Sequence, residues 1–121
     1  MIRTGTYIIE ISRIKKSQKN PRFLSRVFSA QELKQYTKYA FSPAKISTGF
    51  AAKEAVMKAL NQGFDHFSLT DISILYDAIG NPYISLSGNA KKIAQREKFK
   101  FSISVSNCKK YATANVIAYS L

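Results

Sequence analysis

The longest helical pattern in this chain leaves few polar positions, and it constrains the fold more than any other feature. The pattern covers residues 43–61 and follows Ser42-Pro43, which offers an N-cap and a proline at the first helical position. A helix that is apolar on most sides is buried. The rest of the 121-residue chain must therefore surround it within one domain. Its apolar members include Ile46, Phe50, Ala51, Ala55, Met57, Ala59 and Leu60.

Shorter patterns before this helix predict one strand and one helix. β-branched and aromatic residues predict a strand over 2–11. The basic segment over 12–28 is interrupted at Asn20-Pro21, a dipeptide typical of a break. Ser29 and Glu32 then fit a capping box, which begins a helix that continues to about residue 39.

Patterns after the long helix predict further strands and one more helix. Antiparallel strands with segregated helices are typical of an α+β fold. The expected elements are a strand over 69–76, a turn at 80–82, a strand over 83–87, a basic helix over about 88–98, and closing strands over 99–106 and 112–120.

The chain carries a large excess of positive charge. Nineteen Lys and Arg oppose seven Asp and Glu, for a net charge of +12, and residues 1–50 hold ten of the basic and two of the acidic residues. Such a surface attracts acidic or phosphate-rich partners and speeds their encounter. Charge alone leaves open a nucleic acid, an anionic membrane, an acidic protein and a polyphosphate metabolite.

Other features of the composition point to a cytoplasmic protein. No apolar run reaches the roughly 18 residues that a membrane-spanning helix needs. The charged residues near the start do not form a secretory signal. With a single cysteine, Cys108, no internal disulfide is possible.

Three ionisable residues, Lys53, Glu54 and Lys58, interrupt the apolar helix. Glu54 and Lys58 are four residues apart, a spacing that forms weak ion pairs on helix surfaces. The same spacing suits a carboxylate that binds Mg²⁺ and an ammonium that binds a neighbouring phosphate. Composition alone favours the ion pair. The only histidine, His66, lies in a predicted loop and is not expected to be functional.

Five stretches of the chain resemble one family in order and spacing. The run FAAKEAVMKAL, residues 50–60, resembles the signature of holo-acyl-carrier-protein synthases, which are small phosphopantetheinyl transferases. The likeness covers almost the whole chain. It implies one domain over residues 1–121 with the 4′-phosphopantetheinyl transferase-like fold, an α+β arrangement of an antiparallel sheet, a long buried helix and shorter helices. The other stretches are IIEISRI, FLSRVFSAQEL, DISILYDAIGNPYISLSG and SVSNCKKYATANVIA.

The resemblance implies an enzyme and its partners. Family members transfer 4′-phosphopantetheine from coenzyme A to a serine of apo-acyl carrier protein, with Mg²⁺, in support of fatty acid biosynthesis. Adenosine 3′,5′-bisphosphate is the by-product. Members are typically homotrimers with active sites between subunits. Because carrier proteins are acidic, the positive charge of this chain acquires a partner, and Arg13, Arg22 and Phe23 match family positions that dock it.

The resemblance also implies the active-site residues. Glu54 matches a magnesium ligand, and Lys58 matches the lysine near the transferred phosphoryl group, so both are expected to be catalytic. Lys58, Gly63 and Asn107 are expected to contact coenzyme A, with Gly63 in a turn near the pyrophosphate.

Three positions depart from the family pattern. Tyr7 occupies the position of a second metal ligand, an aspartate, while Gly49 replaces an arginine and Asn107 a histidine. A phenol with a pKa of about 10 is a poor ligand for Mg²⁺. Glu10 does not replace the aspartate, because it is three residues along a strand and faces the other side. An amide at Asn107 forms hydrogen bonds but does not exchange protons.

Three functions therefore remain open from the sequence. The first is an active transferase with an atypical metal site. The second is a catalytically impaired family member that binds carrier protein or coenzyme A without transfer. The third is a nucleic-acid-binding module that uses the basic surface, although no segment resembles a known nucleic-acid-binding motif.

Overall fold

The computed structural model of this chain describes residues 1–60 and 66–121. Its elements follow the α+β order predicted from the sequence. In chain order they are β1 (Ile2–Glu10), α1 (Ile11–Ser17), α2 (Pro21–Val27), α3 (Ala30–Thr37), α4 (Pro43–Leu60), a 3₁₀ turn (Leu69–Asp71), β2 (Ile72–Tyr76), β3 (Pro82–Leu86), α5 (Gly88–Glu97), β4 (Lys100–Asn107) and β5 (Tyr111–Tyr119).

The strands form two antiparallel sheets rather than one. A three-stranded sheet has the order β1-β5-β4, and a separate two-stranded sheet consists of β2 and β3. In the larger sheet Tyr7 of β1 pairs with Ala114 of β5, and Asn107 of β4 pairs with Ala112. The sheet thus joins the two ends of the chain, and its inner face covers α4.

Small residues allow α4 to lie very close to β1. A Cβ atom added to Gly5 would lie only 1.8 Å from the carbonyl oxygen of Ala55, so only glycine fits at this crossing. Ala51, Ala55 and Ala59 are fully buried along the helix. The prediction of a buried helix with close packing through alanines is therefore confirmed.

Three of the differences from the sequence prediction have a clear local reason, and the other boundaries shift by one or two residues. The first strand ends at Glu10, because Ile11 already begins α1. The basic segment over 12–28 forms two short helices, and the Asn20 side chain caps the second by accepting a hydrogen bond from the Arg22 N–H at 2.9 Å. Ser68 caps a 3₁₀ turn, so that the predicted strand over 69–76 begins only at Ile72. Within the described residues, no helix is long and apolar enough to cross a membrane.

Candidate functional site

The Lys58 side chain extends from α4 to β1, and Glu54 lies one helical turn earlier on the same face of α4. The Lys58 Nζ donates a hydrogen bond to the carbonyl oxygen of Thr6 at 3.1 Å, and it lies 5.4 Å from the ring centroid of Tyr7. Among the described residues, the Glu54 carboxylate has no ion-pair partner within 4 Å. The ion pair favoured by composition alone is therefore not formed. The structure brings Glu54, Lys58 and Tyr7 to one region.

The environment of Glu54 raises the pKa of its carboxyl group. Partial burial disfavours the ionised form, and the nearby positive charge of Lys58 opposes this effect only in part. A half-buried carboxylate that has no ion-pair partner among the described residues gains much from a cation that binds to it.

Tyr7 belongs to an aromatic row. Its ring meets Phe50 edge to face at a centroid distance of 6.0 Å, and Phe50 in turn lies 6.1 Å from Phe23. Burial alternates along β1, so that Tyr7 faces the interior whereas Glu10 is exposed on the opposite face. The prediction that Glu10 points away from Tyr7 is confirmed. A tyrosine is accommodated here because aromatic packing stabilises it.

Lys53, the neighbour of Glu54, points the other way and is fully buried. Its Nζ lies 2.5 Å from Oε1 of Glu32 and also donates to the carbonyl oxygen of Ile72. The Glu32 Oε2 accepts the backbone N–H of Ile74 at 3.0 Å. Burial lowers the pKa of Lys53, and Glu32 opposes this effect. The pair thus ties α3 and β2 to α4.

Gly49 borders Tyr36, whose hydroxyl fills the place of a missing side chain. A Cβ atom at Gly49 would lie 2.0 Å from the Tyr36 Oη. Tyr36 is fully buried, and its Oη has no hydrogen-bond partner among the described residues. Burial raises its pKa well above the ordinary value, with a further contribution from Glu32.

Asn107 lies at the end of β4, in a cavity of about 330 Å³. Glu54 and Lys58 are not among the described residues that line this cavity. Within one copy of the chain, Asn107 is therefore apart from the Glu54 region. The cavity is lined by Tyr39, Ser42, Ala44, Lys45, Thr48, Tyr76, Gly80, Pro82, Val105, Ser106 and Asn107.

The remaining predicted residues lie on short helices or outside the described part of the chain. Arg13 of α1 and Arg22 of α2 are exposed, and Phe23 is half-buried beside Phe50. The aromatic row therefore extends from this basic surface to Tyr7. Gly63 lies outside the described residues.

Two groups of residues in the structure are not predicted from the sequence. One is the Lys53–Glu32 pair, although a lysine inside an apolar run and a glutamate in a capping box were both visible signals. The other is the group of Lys45, Tyr39 and Tyr76 in the Asn107 cavity. No sequence motif marks that group, because its members come from separate segments.

Comparisons with known proteins agree with the fold and show the family of the chain. The model of the 4′-phosphopantetheinyl transferase superfamily matches residues 4–116. A holo-[acyl-carrier-protein] synthase of Clostridium botulinum is 42% identical over 118 residues, which is 97% of this chain and 93% of the relative.

Solved structures show the same likeness. Holo-[acyl-carrier-protein] synthase of Neisseria meningitidis superposes with a TM-score of 0.87 at 29% identity, covering 99% of this chain and all of that one. The Helicobacter pylori synthase, solved in complex with coenzyme A, superposes with a TM-score of 0.79 at 31% identity, covering 98% of this chain and all of that one. This chain therefore belongs to the 4′-phosphopantetheinyl transferase superfamily and, within it, to the holo-acyl-carrier-protein synthases.

Proposed function

We propose that this protein transfers 4′-phosphopantetheine from coenzyme A to a serine of an apo-acyl carrier protein, in support of fatty acid biosynthesis. The observation that carries the proposal is the half-buried Glu54 carboxylate beside Lys58, within the matched family region. Relatives that cover nearly the whole chain carry the same name, and the Helicobacter pylori neighbour binds coenzyme A.

The transfer requires little covalent chemistry from the protein. The serine hydroxyl oxygen attacks the phosphorus that bears the pantetheine arm, and the hydroxyl proton passes to a solvent water molecule. The bond from this phosphorus to the bridging oxygen breaks, and adenosine 3′,5′-bisphosphate leaves with that oxygen. Lys58 is exposed, and its hydrogen bond to the Thr6 carbonyl oxygen holds its ammonium group beside Glu54, where it stabilises the negative charge that builds on the phosphates. Asn107 donates a hydrogen bond to a phosphate or ribose oxygen of the coenzyme.

Glu54 fits a Mg²⁺ ligand. Mg²⁺ is commonly held by one or two carboxylates, with substrate phosphates and water completing the coordination. Glu54 offers one such carboxylate, without a competing ion pair among the described residues. When bound, the ion neutralises charge on the pyrophosphate. Tyr7 supplies packing against Phe50 at the position of the second ligand, and Gly63 is proposed to contact the coenzyme.

The basic surface around Arg13, Arg22 and Phe23 is proposed to dock the carrier protein. The two arginines are exposed. Phe23 is half-buried and packs against Phe50, and it adds an apolar surface beside the arginines. An acidic partner suits this arrangement, because charge complementarity speeds encounter and fixes orientation.

The outer face of the three-stranded sheet supports assembly into a homotrimer. Ile2 and Ile8 of β1 are 73% and 63% exposed, and Ile117 of β5 is 42% exposed. Apolar side chains on an uncovered face favour contact with another subunit. A trimer would also bring the Asn107 cavity of one copy near the Glu54 region of another, which fits the family's active sites between subunits. Sedimentation equilibrium is expected to give three times the 13.6 kDa mass of the chain.

The mass of a carrier protein tests the proposed function. Apo-carrier from the same cell is incubated with coenzyme A, Mg²⁺ and this protein, and the phosphopantetheine increment is measured by intact-protein mass spectrometry. We expect the fraction of carrier protein that carries the increment to grow with incubation time and with the concentration of this protein. If every apo-carrier protein from the same cell stays without the increment, the proposal is contradicted.

A second candidate function is a family member that binds carrier protein or coenzyme A without transfer. The packing of Tyr7 against Phe50 favours it, because an aromatic ring occupies the position of a metal-binding carboxylate. It predicts a carrier complex that survives Glu54→Ala, together with no mass increment for the unmodified sequence. Transfer at a rate that falls with Glu54→Ala would exclude it.

A further inference from the structure

Lys45 holds a positive charge at a defined place in the Asn107 cavity. Its Nζ lies 4.0 Å from the ring centroid of Tyr76 and 4.6 Å from that of Tyr39, and the two rings meet edge to face at 6.3 Å. Cation–π attraction to two rings restrains the ammonium. Throughout residues 1–60 and 66–121, no carboxylate lies within ion-pair distance of it. The charge is therefore available to an anion that enters the cavity.

The rest of the lining suits an anionic, hydrogen-bonding ligand. Ser42 and Ser106 contribute hydroxyl groups, and Asn107 contributes an amide. No acidic side chain is among the described residues that line the cavity. A volume of about 330 Å³ is at the small end for ligand sites and suits one part of a large coenzyme.

Position 49, one helical turn after Lys45, has no room for a cationic side chain. The Tyr36 hydroxyl would lie 2.0 Å from a Cβ atom at Gly49, so a long side chain does not fit there without moving a fully buried tyrosine. Lys45 precedes Gly49 by four residues, which places both on the same side of α4. On this side of α4, Lys45 is thus the residue that can place a positive charge in the cavity.

Within one copy of the chain, Lys45 and Glu54 do not reach the same phosphate. Nine residues separate them along α4, which corresponds to about 13 Å of helix axis. The reacting pyrophosphate is assigned to Glu54 and Lys58 under the proposed function. The phosphate left for Lys45 is the one on the ribose of coenzyme A.

We propose that Lys45, held between Tyr39 and Tyr76, binds the 3′-phosphate of coenzyme A and determines the preference of this protein for the 3′-phosphorylated coenzyme. This inference rests on the proposed function. It assigns the contact to a residue one helical turn before Gly49.

Isothermal titration calorimetry with coenzyme A and 3′-dephospho-coenzyme A tests this role. The variants are Lys45→Gln, which removes the charge, and Lys45→Arg, which keeps it. Lys92→Gln is the matched control, because it removes the same charge from an exposed position on α5. The thermal unfolding midpoint of each variant reports whether it is folded.

We expect Lys45→Gln to weaken coenzyme A binding about tenfold or more, as for a lost charged hydrogen bond, and to leave 3′-dephospho-coenzyme A binding within about twofold. Lys45→Arg and Lys92→Gln should keep the wild-type preference. Equal weakening for both coenzymes, or no weakening in folded Lys45→Gln, would overturn this inference alone. A wild-type protein that binds neither coenzyme would overturn the proposed function and this inference together.

Discussion

Lys53 and Glu54 are consecutive residues of α4, yet their surroundings differ completely. Lys53 is fully buried and bonded to Glu32 and to the carbonyl oxygen of Ile72. Glu54 is half-buried, has a raised pKa, and forms no ion pair within the described part of the chain. Successive residues on a helix point about 100° apart. One step along the chain therefore separates a residue that holds the fold together from one that is free to bind a ligand.

The difference shows that the degree of burial and the presence of bonded partners distinguish a structural charge from a functional one. A buried ion pair with every partner in place serves the fold, because removing one of its partners leaves a buried charge uncompensated. A partly buried carboxylate without a partner destabilises the folded state, and such residues are typical of active sites. Both residues lie in one short segment of sequence, so sequence position alone does not distinguish them.

The largest expected effect is a loss of stability in Lys53→Gln. The change leaves the Glu32 carboxylate buried without its ammonium partner, and we expect the free energy of unfolding to fall by about 3–5 kcal/mol. Urea denaturation followed by circular dichroism measures it.

The double variant Glu32→Gln/Lys53→Gln sharpens the same comparison. Removing both charges should recover part of the lost stability, because no uncompensated charge remains. Lys92→Gln, on the exposed side of α5, serves as the control and should stay within about 0.5 kcal/mol of the wild type. A similarly small loss in Lys53→Gln would mean that the pair does not hold α3 to α4.

A smaller effect is expected from Tyr36→Phe, on the same side of α4 as Lys53. The Tyr36 hydroxyl is buried without a partner among the described residues. Removing an unsatisfied buried group should raise the free energy of unfolding by about 1 kcal/mol, while the ring contact with Phe28 at 5.4 Å is kept. The same denaturation experiment checks this. A destabilised Tyr36→Phe would indicate that the hydroxyl has a bonded partner.

The smallest effect concerns the pH dependence of stability in Glu54→Gln. The pKa of Glu54 is raised from 4.5 in the folded protein, chiefly by burial, so the ionised form disfavours folding. Below 4.5 the carboxyl group is neutral in both the folded and unfolded states, and the two proteins should be equally stable. As the pH rises through the raised pKa, the wild type should lose stability relative to the variant.

Denaturation curves for both proteins between pH 3.5 and about pH 7 measure this difference. The free energy of unfolding of Glu54→Gln minus that of the wild type should become positive with increasing pH. A difference that becomes negative would mean that Glu54 has a favourable partner in the folded protein.

The sequence predicted most elements because their signals are local. The apolar pattern of α4 and the capping box at Ser29 were sufficient to place two helices. The division of the strands into two sheets was not predictable from such signals, because β1 pairs with β5 across nearly the full length of the chain. The sequence pattern extends the first strand to Ile11, because a β-branched side chain fits either element.

The candidate site was predictable to the extent that it lies on one helix. Glu54 and Lys58 were identified from a single segment, and the structure brings both to the same region as Tyr7. The cavity around Lys45 was not identified, since Tyr39, Tyr76 and Asn107 meet only in the folded chain. The closure of position 49 by Tyr36 was likewise invisible, because it depends on how α3 packs against α4.

The most direct test of the contrast between Lys53 and Glu54 is the rate of holo-carrier formation by Glu54→Gln beside that of the wild type. Intact-protein mass spectrometry follows the phosphopantetheine increment, with both proteins confirmed as folded by circular dichroism. We expect the wild type to form holo-carrier and folded Glu54→Gln to do so at least about a hundredfold more slowly. Equal rates for the two proteins would contradict the assignment of Glu54 to the chemistry.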